Sequence, residues 1–170
     1  SVKELSDLPE NSLINDFKFT LAASPHLAAE HDKSKVDTEV IKKRVEELKT
    51  MYDIVLIEGA GGLIVPLTRS YTVLDLIKEL SIPVLVVARA GLGTINHTSL
   101  TLNVLTSNKI RILGVILNYF KGGIIEEDNK KIISSLNGIR ILGSVPKSKN
   151  LDDLCRNTEK HINIDRVLEN

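Results

Sequence analysis

The chain has 170 residues, of which 42% are hydrophobic and 26% are charged. This length and composition exclude a disordered polypeptide and suit a single globular domain over residues 1–170. Lys and Arg together number 22, as do Asp and Glu, so no net charge attracts the chain to nucleic acid or to an anionic membrane. We therefore expect no nucleic-acid partner, and any phosphate binding must come from local geometry.

Cysteine usage and hydropathy indicate the compartment. Cys155 has no second cysteine with which to form an intramolecular disulfide. The sequence also shows no N-terminal signal pattern and no apolar run of about 18 residues. We expect no membrane partner, a cytoplasmic location, and for Cys155 a bystander position in a C-terminal helix.

Two helices are predicted in the first third of the chain. Ser24-Pro25 is typical of a helix start, since a capping hydroxyl precedes a proline at the first helical position. Asp37 fits the N-cap of a second helix that continues to Thr50. Its apolar stripe faces away from a run of charged residues and consists of Val40, Ile41, Val45 and Leu48.

Four apolar runs predict β-strands, at residues 54–57, 84–88, 115–117 with a lead-in at 112–113, and 139–145. The first three are almost continuous in Val, Ile and Leu, as strands are when helices cover both faces of a parallel sheet. A helix is predicted after each of these three, at residues 72–80, 94–107 and 125–136. A strand spacing of about 25 to 35 residues suits right-handed crossovers. The sequence therefore predicts an α/β fold with a mostly parallel sheet and helices on both faces.

The most informative segment is the strand at 54–57, which runs into Glu58 and then into Gly59, Gly61 and Gly62. Ligands of open α/β sheets collect at the carboxyl ends of strands. The glycines fit a plain tight turn as well as a ligand site. A carboxylate that ends a buried strand is costly without a partner, however, and Mg²⁺ bridging nucleotide phosphates is a suitable one.

A second glycine turn follows the strand at 84–88 and opens a helix, with the sequence Gly91-Leu92-Gly93-Thr94-Ile95-Asn96-His97-Thr98. Backbone amides around residues 93–96 at such a helix N-terminus predict an anion site. His97 on its own is more typical of a surface or packing residue than of a catalyst.

The third strand delivers Asn118 to the same edge of the predicted sheet. Its amide offers both the donor and the acceptor that reading an adenine edge requires, although a turn residue closing a strand is equally compatible with the spacing. Tyr119-Phe120-Lys121 follows, in place of the Asn-Lys-x-Asp pattern that reads guanine. This favours an adenine nucleotide over a guanine nucleotide.

Four motifs in this order and spacing are together distinctive: Ser24-Pro25-His26, Glu58-Gly59-Ala60-Gly61-Gly62 with Val65-Pro66-Leu67, the turn at 91–98, and residues 114–118. Over essentially the whole chain they resemble the dethiobiotin synthase family, whose fold is a three-layer α/β/α sandwich of the P-loop NTPase type. The glycine turn that runs into Thr-Ile-Asn-His-Thr is the most specific motif. Related partitioning ATPases and cobyrinate amidotransferases are not expected to carry it.

The resemblance implies roles for individual residues. Glu58 is similar to the magnesium-binding carboxylate of the family. The other implied nucleotide-binding residues are Gly59, Ala60, Gly61, Asn118 as adenine reader, Tyr119, Val145, Pro146 and Lys147. The implied substrate-binding residues are Ser24, Pro25, Gly91, Leu92, Gly93, Thr94, Ile95 and Asn96, and the turn among them would lie at a homodimer interface.

The implied reaction closes a ureido ring on 7,8-diaminononanoate, with ATP as co-substrate and Mg²⁺ as cofactor. One amine takes up carbon dioxide as a carbamate, ATP phosphorylates the carbamate, and the second amine displaces phosphate. Positioning and charge neutralisation dominate such phosphoryl transfers.

The family's phosphate loop, Gly-x-x-x-x-Gly-Lys-Thr, and the lysine and aspartate after it are not found, and residues 1–10 contain no glycine. We therefore expect the sequence to be the C-terminal portion of such a domain, with no catalytic residue that can be assigned. Two alternatives stay open. One is a P-loop ATPase of the amidotransferase or partitioning branch, and the other is a non-catalytic dimerisation module.

Overall fold

The computed structural model describes residues 14–168, which form two compact units at residues 14–81 and 82–168. The prediction of one domain over residues 1–170 stays a prediction. The elements of the first unit are α1 (Pro25–His31), α2 (Thr38–Met51), β1 (Pro66–Thr68), β2 (Tyr71–Thr72) and α3 (Val73–Leu80). Those of the second are β3 (Val84–Arg89), α4 (Thr94–Ser107), β4 (Ile112–Phe120), α5 (Ile124–Asn137), β5 (Ile141–Pro146), α6 (Leu151–His161) and α7 (Asp165–Leu168).

The unit at 14–81 is built from helices and a short antiparallel hairpin of β1 and β2. Helix α2 begins as predicted, because the Asp37 carboxylate accepts a hydrogen bond from the Glu39 amide at 3.0 Å. Surface ion pairs join the elements. Glu30 on α1 receives two hydrogen bonds from the Arg69 guanidinium after β1, at 2.7 and 2.6 Å, and Lys42 on α2 donates to Glu79 on α3 at 2.7 Å.

The predicted strand at residues 54–57 is wrong. The segment has no regular secondary structure and is mostly exposed, and in the part of the chain that the structure describes no strand pairs with it. A strand is defined by hydrogen bonds to a neighbour, so an aliphatic run without a neighbour does not become one. The premise that Glu58 ends a buried strand fails for the same reason, since Glu58 is exposed.

The unit at 82–168 is a parallel sheet in the order β3-β4-β5, with a helix after each strand. This confirms the α/β class, and the strands and helices predicted at 84–88, 94–107, 112–117, 125–136 and 139–145 are all present with small shifts of their ends. The central strand β4 supplies Val115 and Leu117, and both side chains are fully buried. Ile133 of α5 and Leu105 of α4 are buried to the same extent.

Two glycines allow close packing in this sheet. Gly114 has a φ of +151°, and an added Cβ would lie 2.7 Å from Leu142 Cγ and 3.0 Å from the backbone oxygen of Arg140. At Gly143 an added Cβ would overlap the backbone oxygen of His161, at the end of α6. Both positions therefore require the smallest residue. Among the helices of residues 14–168, none is long and apolar enough to span a bilayer.

Candidate functional site

The carboxyl ends of β3 and β4 lie side by side. Arg89 is the register partner of Asn118. One residue further on, the Ala90 amide donates to the backbone oxygen of Asn118 at 2.9 Å, and Ala90 is completely buried. The two loops that follow these strands therefore start from one hydrogen-bonded point.

The side chain of Asn118 is partly committed. Its Oδ1 accepts a hydrogen bond from the Tyr119 amide at 2.8 Å, and Tyr119 takes a left-handed φ of +58°. This conformation is unfavourable for a residue with a Cβ, and asparagine side chains stabilise such turns by local bonds of this kind. The Nδ2 group of Asn118 has no hydrogen-bond partner among residues 14–168. Asn118 therefore offers a donor to a ligand.

Strand β5 brings three further predicted nucleotide residues to the same edge. Val145 is the register partner of Asn118, and Pro146 is the partner of Phe120. Lys147 follows directly, at the end of the strand. Residues predicted from two separate segments thus lie next to one another, while their role as a nucleotide site stays a prediction.

The turn at 91–96 ends in a helix N-terminus without a side-chain cap. Gly93, with a φ of +91°, is the N-cap of α4, and the first turn of the helix has no acidic residue. The Thr94 amide donates to the Gly91 oxygen, at 3.2 Å. In the described part of the chain the amides of Ile95 and Asn96 have no acceptor, as expected for the first turn of a helix. These two amides lie where the sequence predicts an anion site, and the binding of an anion there stays a prediction.

The side chains of this turn differ in exposure. Leu92 is 95% exposed, and Asn96 is exposed as well. Thr94 is buried, and its hydroxyl lies 3.2 Å from that of the equally buried Thr98. Of the predicted substrate residues, Thr94 therefore has a hydroxyl turned to the interior, and its contribution to a ligand is limited to the backbone.

Helix α3, in the unit at 14–81, differs from α4 because the backbone amides at its N-terminus have hydrogen-bond acceptors. Thr72 and Asp75 form a capping box, in which Thr72 accepts from the Asp75 amide at 3.3 Å and Asp75 accepts from the Thr72 amide at 2.8 Å. The next two amides, of Val73 and Leu74, donate to the backbone oxygens of Val65 and Leu63. This helix start holds the loop after Glu58 in place and is not an anion site.

Glu58 lies at the start of that loop and is followed by Gly59, Ala60 and Gly61. All four residues are exposed. Gly61 has a φ of +89°, and an added Cβ would lie 2.9 Å from Val65 Cγ2. The Glu58 carboxylate has no hydrogen bond or ion pair within residues 14–168, and no group of three or more His, Cys, Asp or Glu side chains there is arranged to hold a metal ion. One free carboxylate fits Mg²⁺, which takes one or two carboxylates and completes its shell with water and phosphate.

Ser24 and Pro25 form the start of α1, also in the unit at 14–81. Pro25 is the first helical residue, as predicted. The Ser24 hydroxyl does not cap the helix, however, because it lies 3.1 Å from Nδ1 of His26. Both residues are half-buried, and their predicted substrate role stays a prediction.

Two functional candidates were missed in the sequence. Glu126 and Asn129 on α5 are buried polar residues, 9% and 7% exposed. Glu126 bonds to the loop after β4, and Asn129 bonds to the loop after β3. The signal was present, because residues 126, 129 and 133 share one face of a helix and Ile133 is in the core. Polar residues at inward positions of a helix indicate specific partners.

Comparison with known proteins gives the family. A family model described as an AAA domain matches residues 1–154. The chain is 42% identical to an ATP-dependent dethiobiotin synthetase of Lysinibacillus sphaericus over 83% of its own length and 61% of the relative's. For a synthetase of the same name from Clostridium perfringens the identity is 40% over 89% of this chain and 68% of the relative. The corresponding protein of Brachyspira hyodysenteriae is 36% identical over 95% of this chain and 73% of the relative.

Solved structures agree on the fold. The MinD cell division protein of Aquifex aeolicus superposes with a TM-score of 0.52 at 20% identity, covering 72% of this chain and 51% of that one. Identity at this level carries the fold alone. The fold is of the P-loop NTPase type that the sequence predicts. The chain spans about three-fifths of the length of the first synthetase named above. On the strength of the sequence matches, this chain belongs to the ATP-dependent dethiobiotin synthetase family.

Proposed function

We propose that this chain serves the ATP-dependent conversion of 7,8-diaminononanoate and carbon dioxide to dethiobiotin, in the cytoplasm. The observation that carries the proposal is the edge of the parallel sheet. There the Nδ2 group of Asn118 and the backbone amides at the uncapped start of α4 have no hydrogen-bond partner within residues 14–168. Family membership identifies the ligands that such an edge would take. The chain spans only part of its relatives, so activity of the whole protein is part of the proposal.

The ligand groups follow from chemistry. The Nδ2 donor of Asn118 suits a ring-nitrogen acceptor on the edge of adenine. The amides of Ile95 and Asn96, at the positive end of α4, suit a carboxylate, which is the anionic group of the diamino acid. Tyr119 and the segment at 145–147 are proposed to flank the nucleotide.

Glu58 is proposed to hold Mg²⁺. Its exposed carboxylate has a hard oxygen donor to offer, and such an ion neutralises charge on nucleotide phosphates when it is bound. The adjacent Gly59, Ala60 and Gly61 leave the backbone accessible to a ligand, because none of the three carries a side chain larger than methyl.

A homodimer is proposed with the turn at 91–96 in its interface. Leu92 at the tip of this turn is almost fully exposed, and Leu100 on α4, the helix that follows the turn, is 57% exposed. Large apolar side chains in such positions are typical of surfaces that another protein covers. Leu92→Asp is expected to shift a dimer to monomers in sedimentation velocity, and an unchanged dimer would remove the turn from the interface.

The proposal is tested by calorimetric titration of the chain with magnesium-ATP and, separately, with 7,8-diaminononanoate. Asn118→Ala is expected to raise the Kd for ATP and to leave that for the diamine unchanged. Asn96→Ala, which removes an exposed side-chain amide next to the two backbone donors, is expected to do the reverse. Asn103→Ala, an exposed asparagine further along α4, is the matched control and changes neither. Binding of ATP without any response to the diamine would favour a P-loop ATPase of another branch.

Glu58 is tested by the dependence of binding on the metal. Glu58→Gln keeps the shape of the side chain and removes its charge. It is expected to abolish the difference between ATP affinities measured with and without magnesium, and to leave the urea midpoint of unfolding in place because Glu58 is exposed. Loss of stability together with unchanged magnesium dependence would assign Glu58 a structural role.

A further inference from the structure

We propose that Glu126 and Asn129 are positioning residues. Through hydrogen bonds they hold the loops after β4 and β3, which are the proposed ligand loops, in one conformation. Both lie on α5, and both side chains are more than nine-tenths buried. The inference deepens the proposed function, because the loops in question carry Asn118 and the turn at 91–96. It rests on that function for the identity of the ligands only.

Glu126 holds the loop after β4. Its Oε2 accepts hydrogen bonds from the amides of Lys121 and Gly122, at 2.6 and 3.0 Å. Gly122 and Gly123 both have positive φ, at +81° and +91°, so this loop takes a backbone conformation that glycine alone adopts freely. Two hydrogen bonds to one buried carboxylate oxygen select a single conformation of this loop.

Asn129 holds the turn after β3. Its Nδ2 donates to the backbone oxygen of Ala90 at 3.1 Å, and the Ala90 amide in turn donates to the backbone oxygen of Asn118. The side chain of one residue on α5 therefore supports the point at which both loops begin. Gly91, the first residue of the turn, is the next residue along the chain from Ala90.

A simple helix cap explains only half of this arrangement. Glu126 is the third residue of α5, and a carboxylate there stabilises the helix start by itself. Asn129 lies one turn further into the helix and contributes nothing to its start, yet it is buried and bonded to the neighbouring strand's loop. Each of the two side chains forms hydrogen bonds with backbone groups of a predicted ligand loop.

The first test measures the loops directly, by amide hydrogen exchange of the chain. Glu126→Ala is expected to speed exchange at Lys121 and Gly122 by about tenfold or more, since each amide loses its acceptor. Glu126→Gln keeps an acceptor oxygen and is expected to restore most of the protection. Glu127→Ala changes the adjacent, exposed carboxylate of the same helix turn and should leave both amides as they are.

The second test separates positioning from structure by ligand affinity. Glu126→Ala is expected to raise the Kd for magnesium-ATP about tenfold with little effect on the diamine, because the loop at 119–123 follows Asn118 directly. Asn129→Ala is expected to weaken the diamine at least as strongly as ATP. Asn137→Ala, which removes bonds to Ser99 and Ile133 at the far end of α5, is the control and changes neither affinity.

The outcomes are distinct. Faster exchange at Lys121 and Gly122 with unchanged Kd values, in a chain that binds both ligands, would make Glu126 a helix cap and overturn the inference. Unchanged exchange in Glu126→Ala would overturn it as well. If the unaltered chain binds neither ligand, the proposed function fails, and the exchange data alone then decide whether the two side chains fix the loops.

Discussion

Two aliphatic segments of similar composition differ completely in structure. Leu117 in the middle of β4 is fully buried, with β3 on one side and β5 on the other. Leu56 in the segment at 54–57 is 90% exposed. Both stretches consist of Val, Ile and Leu followed by a polar residue, Asn118 in one case and Glu58 in the other. Neighbouring strands, and not the run of apolar residues, make the difference.

The comparison is tested most strongly by truncating one leucine in each segment. Leu117→Ala removes a fully buried side chain and leaves a cavity, and we expect the free energy of unfolding to fall by about 2–5 kcal/mol. Leu56→Ala removes a side chain that is already in water, and we expect a change within about 0.5 kcal/mol. Urea denaturation followed by circular dichroism measures both.

Equal losses for the two variants would contradict the contrast between the segments. A large loss for Leu56→Ala alone would show that residues 54–57 are covered in solution, for instance by a second protein chain. Measurement at two protein concentrations distinguishes these cases, since only burial between chains depends on concentration.

Glycine substitutions sharpen the same contrast with a smaller effect. In Gly143→Ala the added methyl group collides with the backbone oxygen of His161, so β5 and α6 must move apart, and we expect a loss of about 1–3 kcal/mol. In Gly62→Ala the methyl group meets open space and φ is not positive. The stability of that variant is expected to be unchanged or to rise by up to about 1 kcal/mol, because the unfolded chain loses freedom.

The two variants are compared by thermal unfolding of chains purified in the same way. If Gly143→Ala has no effect, the close approach of α6 to β5 is not present in solution. If Gly62→Ala is strongly destabilising, the loop after Glu58 is packed against another surface in solution.

The sequence was sufficient for most of the parallel sheet and its helices. Nearly continuous apolar runs at 84–88 and at 115–117, the latter with a lead-in at 112–113, predicted β3 and β4, because each run is followed by a segment of helical pattern. The same reasoning failed at 54–57, where nothing in a local pattern reveals whether a neighbouring strand exists. Pairing is a property of the whole fold and not of the segment.

The candidate site was predictable in part. The positions of Asn118 and of the turn at 91–96 followed from strand ends and glycine spacing. The network beneath them did not, because Glu126 and Asn129 look like ordinary polar residues of an amphipathic helix until their partners in the loops are known. Their partners are backbone groups, which a sequence does not display.

The smallest expected effect concerns pH and is confined to the unit at 14–81. Asp32, at the end of α1, accepts hydrogen bonds from the hydroxyl and the amide of Thr20, at 2.5 and 2.7 Å, and lies 3.0 Å from Nδ1 of His31. The Thr20 hydroxyl is the main cause that lowers the pKa of Asp32 from 3.8 to about 2, with His31 and the Thr20 amide next. The Asp32 carboxylate therefore binds a proton at a higher pH in the unfolded chain than in the folded chain. The stabilisation that ionised Asp32 gives the folded chain is complete above the pKa of Asp32 in the unfolded chain. It is lost as the pH falls from 3.8 towards about 2.

Asp32→Asn removes the ionisable group together with this dependence. The difference in thermal midpoint between the unaltered chain and the variant is expected to shrink as the pH falls through this window, while Thr20→Val is expected to move the pKa of Asp32 back towards 3.8. Carbon NMR of the Asp32 carboxyl group follows the pKa directly. A midpoint difference that stays constant down to a pH of about 2 would show that the contacts of Asp32 with Thr20 are not maintained in solution, and that the segment before α1 is held by other contacts.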